Sequence, residues 1–535
     1  MSKRLKFAKD SRADLIEGIN MVARAVSATM GAMGRNVVIE RVGRAPHVTK
    51  DGFSVAKEIF SNNSEINMGA QMIKGVSAKT VEDTGDGTTT ATVLAHAMIN
   101  EGIKHLDNGS NPVDLKRGIE KAVATVVESL NKSARPIETE EQIRQVASIS
   151  ANNDDELGAI VANAIAKVSK EGTITVEESK TYDTYVDVVE GLKIHRGMLS
   201  AGFANNQEKG VAELEKPLIF ITPNKIETVN DILPVLQVVP ENKALLVIGG
   251  EVSGEAIATL VINKIRGGWK VAAIKAPFLG EKREYTLNDL ATVTGGVCVS
   301  EAAGLTFDQF TFEMFGSCER VIIDKDSTVF IGGHGNKDDI EYLKDSLRSQ
   351  AEAADSKYES DELKSRLALL SGGVAVLYVG ANSELEMKEK KDRIDDALGA
   401  TRAAIEEGIV SGGGVALFNC IRDLERLEFV KPSEDALVVN KDVLAGYDIV
   451  KKALLRPLVT IVKNAGLNVD AVIKTIGHHT VGVGYDVKNG GYADMIQAGI
   501  IDPKKVTRVA LENAASVAAL VLMTECTIVN SDTDN

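Results

Sequence analysis

The sequence predicts a multidomain fold, mainly α with an α/β portion, and three observations lead there. Its 535 residues, set against about 150 residues per domain, give three or four domains rather than one small fold. Apolar residues recur at helical spacing through roughly the first 130 residues and again toward the C-terminus. Between these ends, short β-branched runs alternate with amphipathic stretches, the pattern of an α/β unit.

Leu15, Ile19, Val22 and Val26 mark a helix over 11–27, and Leu115, Ile119, Val123 and Val126 mark another. Val37–Ile39 reads as a short strand, and GRAPHVTKDG after it as a loop or hairpin. Beyond Pro136 the pattern changes. From about 175 to 335 the runs ITVEE, VDVVEG, LIFITP, ALLVIGG, KVAAIKAP, VCVS and RVIIDKD read as strands, with helices near 229–239, 253–266 and 285–294. Residues 338–370 read as a charged helical hairpin arm. After Gly372 and Gly373 come one strand, VAVLYVG, and a charged helix ending at Gly408. The rest, from Gly412-Gly413-Gly414 onward, is mainly helical, and the polar ending TECTIVNSDTDN is expected to fray.

Composition narrows the function. Sixty-one Lys and Arg against 76 Asp and Glu give a net charge of −15, which argues against nucleic acid and anionic membranes as partners. With 44% hydrophobic and 26% charged residues the chain can bury several cores, although aromatics are only 4%. Cys298, Cys318, Cys420 and Cys526 are too far apart for a CxxC pair or zinc ribbon and read as buried thiols of a reducing compartment. Charge interrupts the N-terminus every few residues, and the longest uncharged run, Leu367–Ser383, contains glycines and is too short to span a membrane. The expectation is a cytoplasmic protein.

The segment Thr84–Val93, TGDGTTTATV, turns on glycines into a helix, where unpaired N–H groups and the helix dipole favour an anion. Asp86 would repel phosphate unless Mg2+ bridges carboxylate and phosphate oxygens. A capped helix with surface threonines is an equal alternative on chemistry alone. Thr29–Asn36 is a glycine-containing turn with no Walker spacing, so a helix C-terminal glycine is the simpler reading. Lys50-Asp51-Gly52 is a turn signature, and Asp395-Asp396 a solvated helix face of which at most one residue can serve a site. The triple glycine is either a flexible joint or a place of close ligand approach. His478 and His479 read as loop residues, and no HExxH spacing or nucleophile triad is present.

Taken in order, GRNVVIE, TKDGFSVAKEI, NMGAQMIK, GDGTTTATVLA, NPVDLKRGIEKAV, EMKEKKDRIDDALGATRAAIEEGIVSGGGVAL and GIIDPKKVTR closely resemble the bacterial group I chaperonins, the GroEL family, from about residue 2 to 527. The resemblance implies an equatorial domain from 1–132 and 408–535, an intermediate hinge domain from 133–189 and 374–407, and an apical domain at 190–373. Pro136, Gly191, Gly373 and Gly408 would then sit at the joints.

By the same resemblance, an ATP site would use Thr29, Met30, Gly31 and Ala32 with Lys50 near the phosphates. Asp86 would hold Mg2+, and Gly87, Thr88, Thr89 and Thr90 would cradle phosphate. Gly413, Asp486, Val487, Lys488 and Asp502 would surround the adenosine, while Asp396, assisted by Asp51, would activate water. The implied cofactors are ATP and Mg2+, with K+ as a further candidate ion. Implied partners are unfolded client proteins and a GroES-like co-chaperonin, taken by an apolar apical surface of Met198, Gly202, Phe203, Leu233, Leu236, Ile257, Val261 and Ile262. On periodicity alone, the helical residues among these read as ordinary amphipathic core.

The chain also departs from that family. Met198 and Gly202 stand where tyrosines are usual, Ala32 and Met33 replace proline and lysine, and Asp486-Val487-Lys488 replaces an Asn-Ala-Ala run. Val459, Asn468 and Asn108 replace the usual contacts between rings, and the glycine-methionine tail is missing. The expectation is a homo-oligomeric, seven-membered ring that works as a single ring, or as a double ring that parts during the cycle. These departures point to a divergent member, with a phage as a candidate source. Two other classes stay open: a small-molecule ATP-using enzyme, for which no acceptor motif is seen, and a passive holding protein, against which the retained acids argue.

Overall fold

The computed structural model describes all residues except 1, 2, 42, 44, 45, 169–172, 180, 190, 207–209, 355, 372, 373, 429–439 and 531–535. Gly373, expected at a joint, and the last five residues of the tail lie outside the described residues. The helices in chain order are α1 (Ala8–Ser27), α2 (Gly52–Glu58), α3 (Ser64–Thr84), α4 (Thr88–Asp107), α5 (Pro112–Ser133), α6 (Glu140–Ser150), α7 (Asp155–Lys167), α8 (Val229–Gln237) and α9 (Gly254–Gly267). They continue as α10 (Glu281–Thr294), α11 (Lys337–Ala353), α12 (Lys357–Ser371), α13 (Glu384–Glu407), α14 (Val415–Glu428), α15 (Lys441–Leu454), α16 (Arg456–Asn464), α17 (Val469–His478) and α18 (Lys504–Leu522). The chain divides into two compact units, Met1–Ala162 with Val379–Asn535, and Asn163–Tyr378.

The first unit is a helical assembly. Ile19, Val22 and Val26 of α1 join Ile73, Leu94, Met98, Leu115, Ile119, Val126, Leu511 and Leu522 in one buried core, so the helical spacing seen in the sequence is the core-facing stripe. Glycines allow helices to cross closely. A Cβ on Gly118 of α5 would lie 2.1 Å from the Val443 carbonyl oxygen, and one on Gly446 of α15 would lie 2.6 Å from the Gly118 Cα. We therefore expect Gly118→Val to push α5 off α15 and cost about 3 kcal/mol, read as a lowered urea midpoint.

Of the short two-stranded ribbons in this unit, two bear on the sequence reading. Val37–Ile39 pairs antiparallel with His47–Thr49, so these three residues of the GRAPHVTKDG segment form the second arm of a hairpin. The chain ends meet in the other ribbon, where Lys3–Phe7 pairs antiparallel with Cys526–Asn530. This corrects the expectation that the ending frays from Thr524, since Thr527 and Val529 alternate inward and give a period-2 pattern that the neighbouring polar residues obscure.

The second unit is built on a mixed sheet. Its strands run in the order Val271–Lys275, Leu245–Gly249, Leu218–Ile221, Gly316–Ile323, Thr328–Gly333 and Gly191–Ile194, with Ala212–Glu215 also on Gly316–Ile323. The first three are parallel and carry near-continuous apolar runs, as strands covered on both faces do. Helices α8, α9 and α10 occupy 229–237, 254–267 and 281–294, close to the sequence reading. The run VCVS is not a strand: Cys298 makes a single bridge to Ile221, and Thr222 donates to the Val299 carbonyl. Conversely, Gly191–Ile194, Ala212–Glu215 and Thr328–Gly333 are strands the sequence reading did not pick out. The arm at 338–370 is two helices, α11 and α12, which pack around Leu347, Leu363 and Leu370.

Candidate functional site

In the first unit a cavity of about 560 Å³ opens at the start of α4. Helices α2, α3, α5 and α6 are capped by the side chains of Asp51, Asn63, Asn111 and Thr139. At α4 the N-cap is Gly87, left-handed at φ 85°, and no side chain caps it. The first-turn N–H groups of Thr88, Thr89 and Thr90 therefore face the cavity without a side-chain acceptor, at the positive end of the helix dipole. A Cβ on Gly87 would lie 2.5 Å from Val506, so position and φ both require glycine.

Asp86 precedes this turn. Its carboxylate accepts from the Gly87 N–H and the Ser150 hydroxyl, yet burial, with a smaller push from Asp51, raises its pKa above the usual range. A desolvated carboxylate of this kind is stabilised by a cation. Asp51 spends its oxygens on the α2 N-terminus, accepting from Phe53 N at 3.2 Å and Ser54 N at 2.7 Å. Thr89 lies against Gly52, where a Cβ would be 2.1 Å from the hydroxyl oxygen.

Asp396 arrives from α13. One turn later Gly399 meets Gly85, each glycine's Cβ position being under 3 Å from the other's Cα, so α13 crosses directly over the glycine turn and carries Asp396 into the cavity. Asp395 points outward, as the 100° step between neighbouring helical residues requires. Burial first, then the charges of Asp51 and Asp86, raise the Asp396 pKa well above the ordinary carboxylate value. Lys50 donates to the Ala32 carbonyl at 3.4 Å, and burial lowers its pKa.

The turn after α1 supplies another wall. Thr29 donates to the Val26 carbonyl at 2.9 Å, and Gly31 is left-handed at φ 84°. The Asn464 amide holds this turn through the Ser27 and Met30 carbonyls, both at 2.9 Å.

Opposite lie Gly412–Gly414 and Asp502. A Cβ on Gly412 would sit 3.0 Å from Asp502 Oδ1, and Gly413 and Gly414 have φ of 66° and 77°. The triple glycine is thus an ordered close approach that opens α14. Asp486 closes its own turn by accepting from Lys488 N at 2.9 Å and Asn489 N at 3.1 Å. Lys488 pairs with Asp155 at 3.7 Å. Val487 also lines the cavity, which therefore gathers every nucleotide-side residue singled out in the sequence.

Sequence reasoning missed the wall made by α6 and the turn after it: Ser148, Ser150, Asn152 and Asn153. Asn152 and Asn153 have φ of 62° and 63°, a conformation asparagine tolerates better than most residues. The Asn-Asn-Asp run was the available signal. His478 ends α17 rather than lying in a loop.

Burial pushes the Asp502 pKa up to about 7, with a further contribution from Asp86. Its unfolded value is near 3.8, so the folded state binds the extra proton between these limits. The stability this proton confers is complete below pH 3.8 and is lost as pH rises through about 7. We expect Asp502→Asn to raise the urea midpoint more at pH 8 than at pH 4.

The apolar residues of the second unit divide. Leu233 and Ile262 are 41% and 49% exposed. Met198, Leu236, Ile257 and Val261 are half-buried and pack on the sheet core. Phe203 is fully buried, which corrects its expected place on an open surface. Its short turn, Ala201–Phe203, drops the ring into the core, and Gly202 leaves room for Val261 above it.

Chemically, the cavity offers unpaired N–H donors, a desolvated acid beside them and a second raised acid across from them. Ser148 Oγ is buried at its wall with no hydrogen-bond partner among the described residues. This donor set fits a polyphosphate with a hard divalent cation, which hard oxygen ligands favour.

The model of the TCP-1/cpn60 chaperonin family matches residues 22–532. Among solved structures, the chain is similar to the chaperonin gp146 of bacteriophage EL (Pseudomonas aeruginosa), with 21% identity and a TM-score of 0.68, over 98% of this chain and 99% of that one. Among the described residues, no helix is long and apolar enough to cross a membrane.

Proposed function

Since the chain belongs to the TCP-1/cpn60 chaperonin family, we propose that it is an ATP-hydrolysing folding chamber. Non-native chains are captured on apolar apical surfaces, enclosed, and released on a cycle timed by hydrolysis. The observation that carries the reading is the meeting of Asp86, Asp396 and the uncapped α4 N-terminus in one cavity. The structural relative, the phage EL chaperonin, was crystallised in the presence of ATP-BeFx, which supports a nucleotide as the ligand.

In this reading Thr88, Thr89 and Thr90 donate to phosphate, and Lys50 balances its charge. Asp86 would hold Mg2+, which would supply positive charge to offset that of the carboxylate and the phosphates. K+ is a further candidate near the phosphates. Asp396 takes the proton of the attacking water, with Asp51 holding the α2 terminus beside it. Asp502 stands at the nucleoside end, where its carboxyl can accept from a hydroxyl, with Gly413, Asp486, Val487 and Lys488 around it. The division into equatorial (1–132, 408–535), intermediate (133–189, 374–407) and apical (190–373) domains belongs to the same proposal and makes Asp396 a hinge-domain residue, linking hydrolysis to domain closure.

Ring assembly has its own support. The terminal ribbon exposes Leu5, Phe7 and Ile528 at 49%, 58% and 56%, and the Val37–Ile39 hairpin exposes Val38 at 67%. Two-stranded ribbons are marginal alone and leave open edges, so pairing one copy's hairpin with the next copy's terminal ribbon would complete a sheet and cover these side chains. A GroES-like co-chaperonin would cap the ring. The functional test is capture of a chemically denatured protein, seen as suppressed aggregation, followed by release of active protein on adding Mg-ATP. Aggregation at the uncatalysed rate with this chain in excess would reject the reading.

A further inference from the structure

Helix α9 buries Ala256 and Leu260 against the sheet. Its outward side carries Ala258, Ile262 and Ile265 at i, i+4 and i+7, one stripe along the helix. Ile262 is 49% and Ile265 69% exposed. The helix stops at Gly268, left-handed at φ 68°, where the Gly268 N–H reaches the Lys264 carbonyl and the Trp269 N–H the Asn263 carbonyl. This terminus turns the chain back so that a Cβ on Gly267 would lie 3.8 Å from the Trp269 ring. A ring used only to seal a helix end packs on it; Trp269, the one tryptophan of the chain, stays 43% exposed. The stripe therefore runs from Ala258 to an open indole, an aromatic contact that Met198 and Gly202 do not provide.

Glu255 stands on the N-terminal end of this stripe, but the charges around its C-terminal end are mostly cationic. Arg266 follows Ile262 by one turn and Lys270 follows Trp269. The Lys270 carbonyl accepts from Leu245 N, which brings the loop holding Lys243 to the same end, with Glu241 as its acid. Arg266, Lys270 and Lys243 have no ion pair among the described residues. In a chain of net charge −15 this is a local cationic rim on an apolar stripe.

We infer that the C-terminal half of α9 docks apolar polypeptide segments flanked by acidic residues, with Ile265 and Trp269 covered by the apolar part and Arg266 and Lys270 facing the acids. The inference rests on the client-capture reading and adds which chains are taken.

The lone tryptophan provides the readout. Three synthetic peptides sharing one apolar centre, flanked by glutamates, lysines or serines, are titrated into the full-length protein while its emission is followed. The glutamate-flanked peptide is expected to shift emission to the blue and bind about fivefold tighter than the lysine-flanked one, as two exposed ion pairs allow. The gap should close near 1 M salt, where the Debye length is about 3 Å. The R266E/K270E double variant should reverse the preference with the free protein's emission maximum unchanged. Equal affinities, or binding that leaves Trp269 emission unmoved, would overturn the inference. If denatured protein is still captured in those cases, the client reading stands and only this inference falls; if capture also fails, both fall.

Discussion

Asp396→Ala is expected to lower steady ATP turnover by about a hundredfold or more, the scale of losing a positioned general base, while ATP binding measured by calorimetry stays within a few-fold of the parent. The separation follows from position. Asp396 reaches the cavity from α13, whereas the threonine N–H groups that would hold the phosphates, and Asp86 that would hold Mg2+, belong to α4 and the turn before it. Truncating Asp396 removes a charge that burial, Asp51 and Asp86 all disfavour, so the variant should fold at least as well as the parent. The pH dependence has a definite sign. A base must be deprotonated, and the Asp396 pKa is raised, so turnover should fall on acidification at a higher pH than an ordinary carboxylate would give. Unchanged turnover in Asp396→Ala would remove this residue from the chemistry and return the acid cluster to a structural role.

Why Asp396 could not be assigned from periodicity alone is instructive. On α13 it is one of many charged residues in ELEMKEKKDRIDDALG, and a solvated face was the simplest account. What selects it is Gly399, one turn on, meeting Gly85 from a segment more than three hundred residues earlier. Such a contact has no local signature. The α4 turn was legible because its chemistry is local: two left-handed glycines and three threonines at one helix start. Ser148 and Ser150 were not legible, since serines at the end of a helix are common and only the fold brings Ser150 to Asp86 and Ser148 to the cavity wall.

The fold shows the same division. The helices of the first unit and the parallel strands 218–221, 245–249 and 271–275 declare themselves by period and by β-branched runs. The missed strands depend on partners: Ala212–Glu215 is held by Gly316–Ile323, and Cys526–Asn530 by a strand at the other end of the chain. The resemblance to known chaperonins supplied expectations that local reasoning could not, and at Phe203 the structure departs from them, because a short turn buries the ring. A motif transfers an address; the exposure of a side chain at that address depends on its present neighbours.

The substitution pair Val38→Asp and Ile528→Asp should break the proposed ring. Both side chains are more than half exposed in the isolated chain, so a charge there costs the folded monomer little and its far-UV circular dichroism should be unchanged. Across a subunit contact the same charges would lie buried and unpaired, a cost of several kcal/mol per contact that a closed ring repeats at every interface. The parent is expected near 400 kDa as seven chains of 57.1 kDa, or near 800 kDa as a double ring, and the variant near 57.1 kDa. A variant that keeps the parent's mass would show that the ribbons do not meet between copies. A parent whose mass drops from the double to the single ring with Mg-ATP would fit the substituted ring contacts at Val459, Asn468 and Asn108, because Asn468 already spends its side chain capping α17 and Val459 offers no charge to a facing ring. A monomeric parent in every nucleotide state would leave Asp396 an ATPase residue without a chamber to time.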